Sequence, residues 1–149
     1  MSQDNVLLVR RWYEEVWNQR CAETIDELLL PESIGHLESG DVRGGDEFKT
    51  VRAELLSALP DLQITVDDTV AEGDNVVARW TVAATHAGEG LGVPPTHRPV
   101  TIKGMTWFRI QDGYILEGWD RWNLGGLITQ LQTSEPTRTS EMTGELGKA

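Results

Sequence analysis

The sequence contains little cysteine, few basic residues and no long apolar run. Cys21 is the only cysteine among 149 residues, so no intrachain disulfide can form, and we interpret it as an inert thiol. Thirteen basic residues against 24 acids give a net charge of -11, which argues against nucleic acid and membrane as partners, since both are bound through basic patches. No apolar stretch approaches the ~20 residues that span a bilayer, and the N-terminus lacks a basic region followed by a long apolar one, so we predict a cytoplasmic protein.

The patterns of metal and cofactor sites are also missing. The three histidines have no ligand-like spacing and there is no cysteine pair, so we predict no metal site. The glycines of GEGLG, residues 88–92, do not stand between a strand and a helix, which excludes a dinucleotide-binding loop. A Gly-x-Ser-x-Gly nucleophile motif is absent from the sequence as well. The sequence therefore contains no pattern that predicts a metal, a dinucleotide or a serine nucleophile.

Length and hydrophobic patterning predict one α+β domain. A chain of 149 residues buries about 70% of its unfolded surface in a single core. Helical spacing comes first and strand alternation follows, which is typical of helices packed on one side of an antiparallel sheet. The first predicted helix begins near Ser2 or Asp4, and three more cover residues 22–30, 46–59 and 124–132. The predicted strands cover residues 62–72, 76–87, 100–111 and 114–122.

Two segments lie outside these predicted elements. Residues 32–45, which contain His36, read as irregular. The residues from Thr133 onward are polar with few large apolar side chains, so we expect a domain over residues 1–132 and a mobile tail over 133–149. In the first helix the predicted buried stripe is formed by Val6, Val9, Tyr13, Val16 and Trp17.

Five segments in a consistent order carry a resemblance to a known family. They are PDLQITV, GDNVVARW, THAGEGLGVPPT, FRIQDGYILEGW and GLITQL. Together they resemble the SnoaL-like polyketide cyclases of the nuclear transport factor two-like superfamily, over about Val6 to Leu131. The resemblance implies a cone-shaped α+β barrel, in which a curved antiparallel sheet wraps around a cavity closed by the N-terminal helices. It also implies an enzyme without a cofactor that acts on an aromatic polyketide.

The chain departs from the family's pattern at one position. The family often has an acid four residues after the tryptophan of GYILEGW, where this sequence has Asn123. An acid stands instead directly after that tryptophan, as Asp120. Either Asp120 is the catalytic acid, or this chain has lost the usual group and does something else.

Asp120 is the first candidate for general acid/base catalysis. Strand alternation places it on one face with Leu116, Gly118 and Trp122. An acid on such a face is costly to bury without a partner, which favours a functional site. Desolvation there would raise its pKa toward neutrality, as proton transfer at a carbon next to a carbonyl requires. The alternative is a salt bridge, for which the neighbouring Arg121 or Arg79 is available.

The histidines are further candidates. His86 ends a predicted strand face and is expected either to assist Asp120 in catalysis, by donating to a substrate carbonyl or orienting the acid, or to be a structural histidine. His36 lies where the family often has a histidine, and we expect it to contact the pocket. His97 falls in a turn and is expected to be exposed.

Six tryptophans is a high number for a chain of this length. Their flat rings suit a planar polycyclic ligand, and we expect Trp17, Trp80 and Trp122 to bind substrate. The six cannot all line one pocket, and the alternation of Trp107 with Lys103, Met105 and Arg109 predicts an outward sheet face. Such a face predicts a homodimer or a higher homo-oligomer. Asn123 either binds a substrate oxygen or caps the last helix.

Three functions remain open from the sequence. The first is an intramolecular aldol cyclisation that closes a ring of an anthracycline-type polyketide, with Asp120 and His86 as catalytic residues. The second is hydroxylation of an aromatic polyketide on the same scaffold. The third is a non-catalytic domain that binds a hydrophobic aromatic small molecule.

Overall fold

The computed structural model describes residues 2–133, which form four α-helices, one π-helical segment and six strands. In chain order the elements are α1 (Ser2–Arg11), the π segment (Trp12–Asn18), α2 (Ala22–Leu28), β1 (Leu29–Leu37), β2 (Gly40–Arg43), α3 (Gly44–Ala58), β3 (Gln63–Glu72), β4 (Asn75–Thr85), β5 (Pro99–Gln111), β6 (Tyr114–Arg121) and α4 (Leu124–Gln132). None of the helices within residues 2–133 has the length and apolar character to cross a membrane. Of the tail predicted over residues 133–149, all but Thr133 lies outside the described part of the chain.

The six strands form one curved sheet in the order β2-β1-β6-β5-β4-β3. The α+β class and the cone-shaped fold are confirmed. The sheet is not closed into a barrel, because β2 and β3 remain as its edges. Neighbouring strands are antiparallel, except that β1 and β6 run parallel. The sheet is therefore mixed, whereas the sequence predicted an antiparallel one.

The parallel pair arises from a segment that the sequence analysis read as irregular. Residues 32–45 contain most of β1 and all of β2, so that prediction was wrong. The β1 strand begins before Pro31 and changes register between Leu29 and Ile34, where proline cannot donate to the ladder. Its partners on β6 lie about eighty residues away in sequence, at Glu117 and beyond. Local alternation cannot reveal such a strand, because long-range pairing defines it.

The first helix places its predicted stripe against the sheet. Val9, Tyr13 and Val16 are buried, and Val6 and Trp17 pack against the same core, which confirms the prediction. Beyond Arg11 the backbone widens into the π segment, whose end is marked by a hydrogen bond from the Gln19 amide to the Glu14 carbonyl. The residues of this segment that belong to the core or pack against it are Trp12, Tyr13, Val16 and Trp17.

A buried arginine joins α3 to the π segment through a hydrogen bond. Arg52 is 9% exposed, and its Nε donates to the Val16 carbonyl at 3.0 Å. Phe48, one turn earlier, meets Trp12 and Trp17 with ring centroids 5.1 and 6.0 Å away. These contacts hold α3 and the π segment together above the inner face of the sheet.

Candidate active site

A cavity with a volume of about 120 Å³ lies between the inner face of the sheet and the helices. Its wall is mainly apolar, and seven aromatic side chains contribute to it: Trp12, Tyr13, Trp17, Phe48, Trp80, Phe108 and Trp122. Among the described residues that line it, Asp120 is the only carboxylic acid, and none is a lysine, an arginine or a histidine. This composition suits an uncharged aromatic ligand with one reactive point of contact.

The strand register places Asp120 beside a hydroxyl group. Asp120 on β6 stands opposite Thr106 on β5, and the Thr106 hydroxyl donates to Asp120 Oδ1 at 2.6 Å. The Trp80 indole in turn donates from Nε1 to the same hydroxyl oxygen at 3.0 Å. The carboxylate is therefore held from one side, through Oδ1.

The predicted alternative, a salt bridge to Asp120, is not what the structure shows. Arg121 donates to the backbone carbonyl of Asp120 and not to its carboxylate. Arg79 points to Asp68, at 4.0 Å. The acid thus faces the cavity without a cationic partner among the described residues.

Burial governs the acidity of this carboxyl group. Desolvation raises the pKa of Asp120 from 3.8 to about 6, and the hydrogen bond from Thr106 opposes that rise. Two more distant charges have smaller effects on the same pKa, since Glu38 raises it and Arg121 lowers it. A carboxyl group with a pKa near 6 exchanges protons readily at neutral pH, as a general acid/base requires.

Tyr13 adds a second polar group to the cavity wall. Its hydroxyl is buried without a hydrogen-bond partner among the described residues. Burial raises the pKa of Tyr13 well above its usual value, and the negative charge of Asp120 adds to that rise. The nearby Thr106 hydroxyl opposes this rise, and the phenol stays protonated at neutral pH. A buried polar atom left unpaired in this way is uncommon and points to a ligand.

The sequence analysis did not predict Tyr13 or Thr106 as site residues. Tyr13 belongs to the same helical stripe as Val9 and Val16, and nothing in the spacing distinguishes it from them. Thr106 did carry a signal, because it is a hydroxyl residue on the inward face of β5 between Ile102 and Phe108. That signal marks Thr106 as a polar residue of the inner face, but its pairing with Asp120 follows from the register shift between Arg109 and Ile110.

The structure brings together several of the predicted site residues. Trp17, Trp80 and Trp122 line the cavity with Asp120, and so does Gly118. Ile115, rather than Leu116, joins that face, because the pairing of β5 and β6 changes register between Arg109 and Ile110. Four of the six tryptophans line the cavity, so not all of them share one pocket. The other two, Trp107 and Trp119, contact each other with ring centroids 6.5 Å apart.

The structure does not bring His86 to Asp120. His86 lies just beyond the end of β4, six positions after Trp80, and is not among the residues lining the cavity. Its side chain is fully buried, and Nδ1 accepts from the Thr96 amide at 3.2 Å. Burial also lowers the pKa of His86, so the ring is neutral. Its Nε2 is buried without a hydrogen-bond partner among the described residues, but His86 is separate from the cavity that holds Asp120, so the predicted assistance to Asp120 is corrected.

His36 and Asn123 also lie away from the cavity. His36 Nε2 is 2.7 Å from Glu117, its Nδ1 is 3.0 Å from Asp41, and its ring stacks on Trp119. It is not among the residues that line the cavity, whereas Gly35 and Leu37 on either side of it are. Hydrogen bonds that the His36 ring donates to Glu117 and, with a smaller effect, to Asp41 raise the pKa of His36. The expected pocket contact of His36 is therefore corrected.

Asn123 is the N-cap of α4. Its side-chain oxygen accepts from the Gly126 amide at 2.8 Å, and it does not line the cavity, so the capping alternative is the one observed. His97 is exposed, as predicted. Within residues 2–133 no cluster of three or more His, Cys, Asp or Glu side chains is arranged to hold a metal ion.

Comparisons with known proteins agree with this geometry. The family model described as SnoaL-like polyketide cyclase matches residues 7–131. A protein from Jannaschia sp. CCS1, proposed to be a SnoaL-like polyketide cyclase, is 26% identical with a TM-score of 0.83, and the match covers 90% of this chain and 95% of that one. Among curated protein sequences none matches this chain.

Two structures from Streptomyces are more similar in sequence. AclR from Streptomyces galilaeus, proposed to be a hydroxylase, is 30% identical with a TM-score of 0.77, over 88% of this chain and 97% of that one. IdmH from Streptomyces antibioticus, proposed to be a polyketide cyclase, is also 30% identical, with a TM-score of 0.75 over 87% of this chain and 99% of that one.

Proposed function

The chain belongs to the SnoaL-like polyketide cyclase family, and on that premise we propose that it closes a ring of an aromatic polyketide by intramolecular aldol condensation. The observation that carries the proposal is a single carboxyl group, Asp120, with a pKa of about 6 in an aromatic-walled cavity. This reaction needs no cofactor, because one carboxyl group can both remove and return the proton.

The proposed reaction uses Asp120 twice. Its carboxylate removes a proton from a carbon next to a substrate carbonyl, and the resulting enolate carbon attacks a second carbonyl of the same molecule. One carbon–carbon bond forms and the attacked carbonyl becomes an alkoxide, which takes the proton back from Asp120. The product is therefore an isomer of the substrate. Since Oδ1 is held by Thr106, Oδ2 is the oxygen that exchanges the proton in this proposal.

Tyr13 supplies the electrostatic part of the mechanism. During proton removal, negative charge develops on the carbonyl oxygen of the substrate, and a hydrogen-bond donor placed there lowers the barrier. The Tyr13 hydroxyl is such a donor, because it is protonated, unpaired within the described residues and close enough to Asp120 to feel its charge. In this proposal Asp120 handles the proton and Tyr13 stabilises the enolate.

The cavity wall supports a hydrophobic aromatic substrate. Trp17, Trp80 and Trp122 present flat surfaces to the same space as Asp120, which suits stacking with a planar polycyclic skeleton. No cationic side chain lines the cavity among the described residues, so a neutral ester suits it better than a free carboxylate.

The test is a product assay with a tricyclic anthracycline-type methyl ester, with and without oxygen, analysed by mass spectrometry. We expect an isomer of unchanged mass in both atmospheres, and a rate lowered by about 10²–10⁴-fold in Asp120→Asn, as is usual when a general base is lost. An equal rate in the variant would contradict the assignment of Asp120.

A second candidate function is hydroxylation, because AclR, proposed to be a hydroxylase, is as similar in sequence as IdmH, proposed to be a cyclase. A hydroxylase would give a product heavier by one oxygen atom, and only in the presence of air. A non-catalytic binding domain would quench tryptophan fluorescence with the same ligand and form no product in either atmosphere. The assay above thus separates all three functions.

We also propose that the outer face of the sheet joins two copies of this chain. Trp107 and Met105 are 50% and 51% exposed there, which is unusual for large apolar side chains. Charged residues of both signs lie near them. Because a two-fold contact pairs one patch with itself, the acids of one copy can face the bases of the other. Exposed bases lie on β4–β6 and exposed acids on the edge strand β3, namely Arg79, Lys103, Arg121, Asp67, Asp68 and Glu72.

A further inference from the structure

We propose that Trp80 is a positioning residue that acts on Asp120 through the hydroxyl of Thr106. The inference rests on the proposed acid/base role of Asp120 and deepens it. It assigns to one tryptophan of the cavity wall a task in addition to contact with the substrate.

The direction of the two hydrogen bonds is fixed by their donors. An indole N–H can only donate, so Trp80 Nε1, at 3.0 Å, uses a lone pair of the Thr106 oxygen. The hydroxyl hydrogen is thereby left to Asp120 Oδ1, at 2.6 Å. Donation to a carboxylate favours its charged form, and a donor that already receives a hydrogen bond donates more strongly.

The fold places the three side chains in line across three strands. Thr106 stands opposite Asp120 on one side and opposite Ala78 on the other, and Trp80 follows two residues after Ala78. Both bonds are buried or partly buried, away from competing water. The chain Trp80–Thr106–Asp120 therefore forms a continuous path from β4 to the carboxylate.

A glycine makes this path possible. Gly104 stands opposite Trp80, and a Cβ at position 104 would lie 2.6 Å from Trp80 Cζ2 and 2.8 Å from Trp122 Cβ. Real Cβ atoms do not approach other atoms so closely, so an alanine would push the indole out of its place. At Gly118, which also lines the cavity, the nearest atom to an added Cβ is 3.7 Å away. Gly118→Ala is therefore the matched control for Gly104→Ala.

The test is a carbon-13 NMR titration of the Asp120 carboxyl group in the protein without ligand. In Thr106→Val we expect the midpoint to move upward by about one pH unit, the usual effect of losing a hydrogen bond to a charged group. In Trp80→Phe we expect a smaller shift in the same direction, and Thr106→Ser should titrate as the wild type does.

A double variant isolates the path through Thr106. Loss of wall volume at Trp80 would affect Asp120 in any background, whereas loss of the hydrogen bond matters only while Thr106 has its hydroxyl. We therefore expect Trp80→Phe to cause no further shift in the Thr106→Val protein. An unchanged midpoint in Trp80→Phe alone, or an equal shift in both backgrounds, would overturn the proposal.

Gly104→Ala should move the midpoint as Trp80→Phe does, while Gly118→Ala should leave it in place. If Gly104→Ala does not fold, the titrations of the Trp80 and Thr106 variants still test the proposal. The titration uses no substrate, so its outcome is independent of the proposed cyclisation. Full activity in Asp120→Asn would overturn the proposed function and leave the titration result standing.

Discussion

At the scale of single residues, the raised pKa of Asp120 lowers the stability of the fold above pH 3.8. An ionised carboxylate is poorly solvated in an apolar cavity, so the pKa of Asp120 is about 6 in the folded protein against an ordinary 3.8. Between these values the folded protein binds more protons than the unfolded chain. The free energy of unfolding therefore falls as the pH rises from 3.8 toward 6, and this loss persists at higher pH.

Replacing this acid should stabilise the protein in alkaline solution. We expect Asp120→Asn to raise the free energy of unfolding at pH 8 by up to about 3 kcal/mol, since each unit of pKa difference corresponds to about 1.4 kcal/mol. At pH 4 most of that gain should vanish, because the folded wild type is then protonated. Urea unfolding at both pH values measures the effect, with the exposed Glu72→Gln as control. A variant less stable than the wild type at pH 8 would contradict the raised pKa.

Tyr13→Phe should separate stability from activity. The substitution removes a buried hydroxyl that has no partner among the described residues, so the free energy of unfolding should stay the same or rise. The rate of ring closure should fall by about 10²-fold, because a donor to the enolate is lost. The exposed Tyr114→Phe is the control. Unchanged kcat in Tyr13→Phe would show that its hydroxyl does not contact the reacting oxygen.

Single-residue reasoning found Asp120 but not its partners. An acid among apolar residues of one strand is visible in the sequence, because alternation defines the face. The hydrogen bond from Thr106 depends on the register between β5 and β6, and Tyr13 depends on how the π segment docks on the sheet. Both are properties of the packed structure that local patterns do not contain.

At the scale of elements, the predictions succeeded where alternation is local and failed where pairing is distant. The bounds of α4 were predicted as observed, and those of β3–β6 within two residues. The β1 and β2 strands were missed, since β1 pairs in parallel with β6 across the whole domain. The expected pocket contact of His36 rested on the family resemblance alone, and in the structure His36 binds Glu117 and Asp41 instead.

The contact between α3 and the π segment should be important for stability. Arg52→Leu leaves the Val16 carbonyl without its donor, and we expect the free energy of unfolding to fall by about 1–3 kcal/mol. Arg10→Leu on the exposed side of α1 is the control and should change it little. Urea unfolding monitored by tryptophan fluorescence provides the measurement. Equal stability of the two variants would mean that the buried arginine contributes nothing.

At the scale of the whole molecule, the two faces of the sheet have different tasks in the proposed account. The inner face carries Asp120 and the aromatic wall, and the outer face carries Trp107 and Met105. A chain with a net charge of -11 repels its own copies at long range, so an association needs a local apolar contact with charges of both signs. The outer face offers both.

Trp107→Glu should turn a dimer into a monomer. The substitution places a charge in the centre of the proposed contact, and light scattering coupled to size-exclusion chromatography gives the mass. Leu7→Glu is the matched control, because Leu7 is an equally exposed apolar residue, at 56%, but lies on α1. A wild type that is monomeric at micromolar concentration would contradict the proposed contact.

The most direct test of the central claim is the pH dependence of kcat/KM for ring closure. If Asp120 is the base, kcat/KM rises with pH and levels off with a midpoint near 6, since the carboxylate is the active form in the free enzyme. In Asp120→Asn that rise disappears along with most of the rate. A wild-type profile without an inflection between pH 5 and 7, or an Asn variant that keeps the same profile, would contradict the assignment of Asp120 as the catalytic acid/base.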